Sequence, residues 1–183
     1  IGAAAYAAPE AGYVIGNQAV ASYTNTAGDT ITVTSNKVET VVQQVSGVSM
    51  TSDNTENIAP GGKAYLPHIV TNEGNGPDFF SLSAAEGAGA LDMSNYVFYP
   101  DADMDGVADS ATPITQTPVL APGEQFGFVV DVTVPSNSAS GASDSLTVTA
   151  LSNQPSPQSA SNIDTLTVSS QAIMELVKSM TVD

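Results

Sequence analysis

The sequence predicts an all-β fold, an immunoglobulin-like sandwich of two sheets, and three observations support this prediction. Helical periodicity is almost absent from the chain. Short runs rich in Val, Ile, Thr, Tyr and Phe alternate with segments of Gly, Pro, Asn and Asp. Many short strands separated by such turns are typical of a two-sheet sandwich.

The predicted strands follow one another along the chain, and each is a β-branched or aromatic run bounded by turn residues. Ala27-Gly28-Asp29 predicts a hairpin turn between the first two. Pro67 predicts that its strand is an edge strand or is bulged there. The clearest strand is 126–134, in which one face has the apolar residues Phe126, Phe128, Val130, Val132 and Val134. The other predicted strands are 19–24, 30–35, 38–45, 48–51, 63–71, 79–83, 96–99, 145–151 and 165–169.

The chain is predicted to have three parts. Residues 1–46 form an N-terminal arm and a β-hairpin extension. Residues 47–170 form the β-sandwich, which includes an acidic loop. Residues 171–183 form a C-terminal tail strand. Within the sandwich, residues 152–162 are rich in Ser, Pro, Asn and Gln and are predicted to form an exposed loop.

Composition excludes several classes of function. Three lysines, no arginines and nineteen carboxylates give a net charge of −16, which repels nucleic acid and anionic lipid head groups. No apolar run approaches the roughly 18–20 residues of a membrane span, so we expect no integral membrane segment. The chain starts at Ile1 with an Ala-rich stretch, which indicates that a signal peptide has been removed. We therefore expect a secreted or extracellular protein at the cell surface.

One segment has the composition of a cation site. Residues 101–109 have the spacing D-x-D-x-D-G-x-x-D, and carboxylates so close together repel one another unless a cation lies among them. Hard oxygen ligands favour Ca²⁺, and a glycine at the sixth position permits a sharp turn. The predicted ligands of a structural Ca²⁺ are Asp101, Asp103, Asp105, the carbonyl of Val107, and Asp109.

The acidic loop differs from the calcium loops that lie between two helices. Thr112 occupies the twelfth position, where those loops have a bidentate Glu, and no helical pattern flanks the segment. The prediction is therefore a calcium-type loop between strands, and a solvated acidic loop without an ion is the alternative. The remaining ligand is left open among Asp78, Asp92 and Glu124.

Catalytic motifs are not recognisable in the sequence, so we expect that the protein is not an enzyme. Without cysteines there is no thiol nucleophile or cysteine-ligated metal. His68 is the single histidine and lies within a predicted strand, where a packed or hydrogen-bonded role is expected. No nucleophile elbow, phosphate-binding loop or zinc-ligand set is present.

The C-terminal tail repeats the start of the predicted sandwich. Residues 179–183, SMTVD, match residues 49–53, SMTSD, at four of five positions. The tail alternates in strand fashion, so four residues share one face and are predicted to contact a neighbouring subunit: Met174, Leu176, Met180 and Val182. Coincidence, or a last strand that folds back on its own domain, is the alternative.

Energetics limit where such a tail can bind. Burial of four such side chains contributes roughly 6–12 kcal/mol, whereas ordering some ten residues costs about 10–20 kcal/mol. The tail therefore needs a preformed groove with a sheet edge that supplies main-chain hydrogen bonds. Head-to-tail pairing of this kind does not close and yields a filament. The N-terminal arm, 1–12, is a second candidate for exchange.

The part of the chain from about residue 11 to 170 contains a series of characteristic segments: AGYVIGNQA at 11–19, SYT at 22–24, TSNKV at 34–38, APGG at 59–62, VTNEGN at 70–75, YPDADMDG at 99–106, TPIT at 112–115 and LAPGE at 120–124. This series resembles the conserved repeat modules of bacterial cell-surface and secreted proteins, which are immunoglobulin-like β-sandwiches. The resemblance implies an extracellular location. Such modules usually occur in tandem, whereas this chain has one module with tails. In architecture it is similar to the donor-strand filament subunits of biofilm matrices and archaeal bundling pili.

These observations predict a structural subunit of an extracellular filament or pilus-like fibre. Copies of the chain are the predicted partners, assembled head to tail by donor-strand complementation, with Ca²⁺ as a structural ion. The cell surface is a further predicted site of attachment. The alternatives are a cell-surface adhesin or carbohydrate-binding module, and a fragment of a tandem-repeat surface-layer protein.

Overall fold

The computed structural model describes residues 9–51 and 53–169, and these form twelve β-strands and no helix. The all-β prediction is therefore confirmed. The chain divides into two compact units, Ile1–Val45 and Ser46–Asp183. The predicted tail strand, with Met174, Leu176, Met180 and Val182, lies outside the described residues, as do the first eight residues of the predicted N-terminal arm.

The first unit contains four short strands that form two antiparallel pairs. Its strands are β1 (Val14–Asn17), β2 (Val20–Thr24), β3 (Thr30–Thr34) and β4 (Val38–Val41). β2 pairs with β3, and β1 pairs with β4, both antiparallel. The turn between β2 and β3 runs from Asn25 to Asp29, and Gly28 adopts φ +90° there. The prediction of a hairpin turn at 27–29 is correct, but β1 was not predicted.

The second unit is a sandwich of two four-stranded sheets. Its strands are β5 (Val48–Met50), β6 (Thr55–Ile58), β7 (Lys63–Asn72), β8 (Phe80–Glu86), β9 (Ser94–Asp101), β10 (Gln125–Thr133), β11 (Ser143–Ser152) and β12 (Ser159–Val168). The strand orders are β5-β7-β10-β9 and β6-β12-β11-β8. These are the A-B-E-D and A′-G-F-C orders of an immunoglobulin-like sandwich, in which the first strand is shared between the sheets.

The core lies between the sheets and consists of the inward positions of each strand. In β7 and β11 burial alternates residue by residue, as the period of a strand requires. The fully buried apolar side chains are Leu66, Val70, Phe80, Phe128, Val130, Val132, Val134, Leu146, Val148, Ala150 and Leu166. The predicted inward face of 126–134 is thus confirmed, with Phe126 only partly buried at its end.

The first strand changes sheets between Thr51 and Asn54. Up to Thr51 the chain bonds to β7, whereas the backbone N–H and side-chain amide of Asn54 donate to Asp164 in β12 at 2.8 and 3.0 Å. Asp164 is fully buried, and its second carboxylate oxygen lies 3.0 Å from His68 Nε2 of β7, without the alignment of a full hydrogen bond. His68 stacks on Phe128 at 5.4 Å. This polar pair connects the two sheets.

Pro67 lies in a central strand, so the prediction of an edge strand is wrong for β7 as a whole. The reason is local. The Ile69 N–H points towards the first strand and donates to Thr51 Oγ1, so the nitrogen of Pro67, two residues earlier, points to the same side. β5 pairs only with residues 70–72, and beyond Thr51 the chain crosses to the other sheet. At position 67, therefore, no neighbouring strand offers an acceptor for a backbone N–H, and a proline, which has no N–H, loses no hydrogen bond there.

The predicted loop 152–162 is partly wrong, because β12 already begins at Ser159. Two inward positions in the first part of this strand, 162 and 164, are polar. Asn162 is buried and donates its amide to the carbonyl of Thr51, and Asp164 follows two residues later. Because these inward residues lack the apolar character of a strand, the sequence pattern did not indicate one. β6 was not predicted either.

Candidate functional site

The acidic loop follows β9 directly and begins with the last residue of that strand, Asp101. The backbone turns sharply twice within it, with φ +59° at Met104 and +88° at Gly106. Only glycine adopts the second conformation without strain, which explains a glycine at the sixth position of the motif. The loop returns to the strand where the N–H of Asp109 donates to the carbonyl of Pro100 at 2.9 Å.

Three of the predicted ligands converge. One carboxylate oxygen from each of Asp101, Asp103 and Asp109 lies within 4.8 Å of the others. Two oxygens on opposite sides of one Ca²⁺, each at 2.3–2.6 Å from it, lie about 5 Å apart, so all three atoms can contact a single ion. Asp101 is buried and the other two are exposed, so the site opens to solvent on one side.

Backbone amides of the loop hold these carboxylates in place. Asp101 accepts from the N–H groups of Asp105 at 3.2 Å and Gly106 at 3.0 Å. Asp103 accepts from the N–H of Asp105 at 3.3 Å, and Asp109 accepts from that of Ala102 at 2.6 Å. A carboxylate oxygen has two lone pairs, so each oxygen retains acceptor capacity for a cation.

Electrostatic repulsion within the loop appears in the pKa of Asp103. The backbone N–H of Asp105 lowers this pKa, but desolvation and the charges of Asp105, Asp109 and Asp101 outweigh that hydrogen bond. The pKa of Asp103 is therefore raised above its usual value. A bound cation would relieve this repulsion.

The remaining predicted ligands lie outside this group. The Asp105 carboxylate accepts from the N–H of Val107 at 2.8 Å and is not one of the three converging side chains. The side chain of Val107 is 65% exposed. The five-residue ligand set therefore stays a prediction, and Asp101, Asp103 and Asp109 are the part of it that the geometry brings together.

The loop folds over the outer face of the sheet that contains β7, β9 and β10. A Cβ on Gly106 would lie 3.7 Å from Pro67, and Val129 is 1% exposed although it points away from the core. A Cβ on Gly127 would lie 2.3 Å from the carbonyl oxygen of Asp101 and 2.9 Å from the side chain of Met104. Gly127 therefore provides the space that the start of the loop occupies. Sequence reasoning missed this residue, although a glycine inside a strand indicates a close backbone approach.

A second feature is the edge strand β5, the segment that the tail repeats. It has three residues, pairs antiparallel with β7 and has no strand on its other side in the described part of the sheet. Val48 and Met50 pack against the core. The repeated sequence thus belongs to a strand position at the border of the sandwich.

Comparisons with known proteins find solved structures but no family. No family model matches the sequence, and no curated protein matches it. A family 123 glycoside hydrolase from Clostridium perfringens is similar over 68% of this chain and 27% of its own, with 12% identity and a TM-score of 0.41. The first three repeats of protocadherin gamma C5 are similar over 82% and 42%, with 16% identity and a TM-score of 0.38. AggA, the major subunit of aggregative adherence fimbriae type I from Escherichia coli, is similar over 69% and 96%, with 10% identity and a TM-score of 0.33.

These likenesses concern the fold and not the function, because all identities are below 25% and all TM-scores below 0.5. The chain spans about a quarter of the hydrolase and less than half of the protocadherin fragment. Within residues 9–51 and 53–169, no helix has the length and apolar character needed to cross a membrane.

Proposed function

We propose that the protein is a structural module of an extracellular fibre, in which copies join head to tail through exchange of a β-strand. One observation supports this above all others. Residues 179–183 repeat residues 49–53, and in the structure the first copy of this sequence begins in an edge strand of the sandwich. A second copy of an edge-strand sequence is suited to the same position in a neighbouring sandwich.

The β5 position offers the two kinds of contact that a bound tail requires. A short peptide does not order on a flat surface, because the entropy cost of about 1–2 kcal/mol per residue exceeds what few side chains contribute. At β5 the neighbouring strand β7 supplies main-chain hydrogen bonds, and the core supplies the contacts of Val48 and Met50. The tail lies at one end of the chain and its acceptor in the sandwich, so the contact is heterologous and extends into a fibre.

Filament formation by the full chain, and its loss when residues 171–183 are removed, are the expected results in negative-stain electron microscopy. The truncated chain should remain folded and monomeric, because all twelve described strands lie before residue 170. Removal of residues 1–12 serves as the control and distinguishes the two candidate tails. Filaments that persist without residues 171–183 would contradict exchange of this tail, and a monodisperse monomer of the intact chain would favour a binding module.

We propose further that the acidic loop binds one structural Ca²⁺ through Asp101, Asp103 and Asp109. The ion would join the end of β9 to the returning part of the loop, and its two positive charges would offset two of the three carboxylate charges in a chain of net charge −16. The loop covers the outer face of a sheet, so an ordered loop also protects Val129 from solvent. The role is structural, since such a site stiffens the module within a fibre.

Calcium is expected to raise the melting temperature of the chain. With a dissociation constant of about 10⁻⁴ M, in the range of extracellular modules, about 10 mM Ca²⁺ adds about 2.7 kcal/mol to the free energy of unfolding. This corresponds to an increase of about 5–10 °C for a sandwich of this size, measurable by circular dichroism. Asp103→Asn keeps the acceptor for the N–H of Asp105 but removes a ligand charge, so most of the increase should disappear.

The matched control for Asp103→Asn is Glu56→Gln, which removes one exposed carboxylate from β6, far from the loop in sequence. This variant should show the full calcium-dependent increase. An equal response of both variants would indicate non-specific screening of the negative charge. An unchanged melting temperature of the parent chain with calcium or a chelator would contradict the site itself.

A second candidate function is that of an adhesin or carbohydrate-binding module. Beside the acidic loop lies an open cleft of about 270 Å³, which is lined by Tyr65, Tyr99, Ala108, Ser110, Ala111 and Asp131. Tyrosine rings are suited to stacking against a sugar ring, and their hydroxyls to bonding those of the sugar. Lys63 contacts one carboxylate oxygen of Asp131 at 2.6 Å and the other oxygen is buried, so the tyrosines are the groups that favour this function.

A further inference from the structure

We infer that the surface that receives the tail is the β5 position itself, so that residues 179–183 of one copy displace residues 49–53 of the next. This inference rests on the proposed head-to-tail assembly and specifies its acceptor. The described residues occupy every strand position of the sandwich, so the tail has no vacant position there. It must either displace a strand or add beyond one, and the side-chain contacts of residues 49–53 favour displacement.

Two of the repeated residues, Ser49 and Met50, contact β7 or the residue that follows it. The hydroxyl of Ser49 lies 2.8 Å from Oε1 of Glu73 and donates to it, just beyond the end of β7. Met50, opposite Val70, packs against the core. The serine therefore fixes the strand on the outer face of the sheet, and the methionine fixes it on the inner face.

The other two repeated residues contact both sheets. Thr51 donates its N–H to the carbonyl of Ile69 and accepts the N–H of the same residue at Oγ1, both at 3.0 Å. Asp53 accepts the N–H of Ile163, in β12 of the other sheet, at 2.9 Å. A threonine and an aspartate two residues apart thus span the place where the strand crosses between sheets.

The tail offers the same groups at the same spacing. Its counterparts of the four contacting residues are Ser179, Met180, Thr181 and Asp183. The one difference within the segment is Val182 in place of Ser52. Exchange therefore replaces each described contact by an identical one. A tail that only paired with the free side of β5 would have no use for the threonine and aspartate, whose partners lie in β7 and β12.

The match begins abruptly at Ser179. Lys178 stands where Val48 packs against the core, and Val177 stands where Gly47 lies against Glu73. A Cβ on Gly47 would lie 2.9 Å from backbone atoms of Glu73, so valine does not fit there. The inserted segment is accordingly limited to residues 179–183, and the tail before it leaves the sheet edge.

The displaced segment has a defined end. Asn54 is not part of the repeat, and its two hydrogen bonds to Asp164 remain available to the resident chain. β6, which pairs in parallel with β12, follows Asn54 directly. Displacement therefore stops at this residue, and the sandwich retains its other seven strands.

Disulfide trapping tests this register in the full chain, which has no cysteines of its own. Ser49 is paired with Thr71, so the double variant Ser179→Cys with Thr71→Cys places two thiols at the Cα separation of about 4.5–5.5 Å of paired strands, within reach of a disulfide. Mild oxidation should yield a ladder of linked multimers on a non-reducing gel. The matched control is Ser179→Cys with Ile69→Cys, two residues out of register, which should yield about tenfold less because its Cα atoms lie beyond about 7 Å.

Each outcome of the trapping experiment is decisive. The expected ladder, absent from each single-cysteine variant and lost on reduction, supports displacement by a second copy. A disulfide within single chains as the main product would overturn it, because the tail would then bind its own sandwich. Equal yields for both double variants would overturn the register. If electron microscopy shows filaments but the in-register variant is not linked, binding of the tail at the β5 position is wrong and the fibre is not. If neither filaments nor linkage are seen, the proposed function is wrong as well.

Discussion

Asp164→Ala is expected to lower the free energy of unfolding by about 3–5 kcal/mol, a large share of the 5–15 kcal/mol typical of a domain. Asp164 has no exposed surface and lies between the two sheets. Its removal leaves the backbone N–H of Asn54 without its acceptor and the side-chain amide with one acceptor in place of two, the carbonyl of Pro67. It also leaves His68 buried without the carboxylate that lies 3.0 Å away.

The large expected effect comes from unpaired groups and not from a strong ion pair. A buried pair of opposite charges contributes little net stability, because desolvation offsets the attraction. Removal of one partner, in contrast, exposes the full desolvation cost of the groups left behind. Asp164 also holds the point at which the first strand changes sheets, so the variant should loosen residues 49–54 before the rest of the sandwich.

Thermal and urea unfolding measure this prediction. Asp164→Ala should lower the melting temperature by about 10–20 °C. Asp164→Asn retains an acceptor oxygen for Asn54 and should lose no more than about half as much. Ser161→Ala removes an exposed hydroxyl contact on the same strand and should change stability by less than about 0.5 kcal/mol. If Asp164→Ala behaved like Ser161→Ala, the polar pair would not hold the sheets together.

The apolar strands of the fold were predictable from the sequence, because their side chains alternate between core and solvent. In β7 and β11 every second residue is buried, and most of these inward residues are apolar. β10 also has an apolar inward face, but residues 127–132 are all buried, because the acidic loop covers the other face. The beginning of β12 and the short β6 were not predictable, since their pairing depends on distant strands. In β12 the inward residues Asn162 and Asp164 are polar because they bind the crossing segment.

The candidate cation site was predictable as a motif but not as a geometry. Spacing indicated that the alternating residues Asp101, Asp103 and Asp105 converge, since a loop with a central glycine turns back on itself. In the structure Asp109, and not Asp105, joins the first two. The spacing did not indicate that the loop covers Val129, nor that Gly127 makes room for it. Those contacts join residues of two strands whose pairing the local pattern does not reveal.

Gly127→Ala is expected to destabilise the sandwich by about 1–3 kcal/mol and to abolish the calcium-dependent gain in stability. A Cβ at this position would lie 2.3 Å from the carbonyl oxygen of Asp101, and backbone atoms of a paired strand cannot move away as a flexible side chain can. The start of the acidic loop must therefore shift. Because Asp101 is the buried member of the three converging carboxylates, a shift of its backbone separates it from Asp103 and Asp109.

Melting with and without calcium separates the two effects of Gly127→Ala. Gly123→Ala is the matched control, because its Cβ would contact nothing and it costs only about 1 kcal/mol for alanine at φ +79°. The control should keep the calcium-dependent increase of about 5–10 °C that the parent chain shows. A Gly127→Ala chain that is destabilised but still responds fully to calcium would show that the ion does not depend on the position of Asp101. A chain that loses the response while Gly123→Ala keeps it would connect the glycine in the strand, the buried carboxylate and the ion in one structural unit.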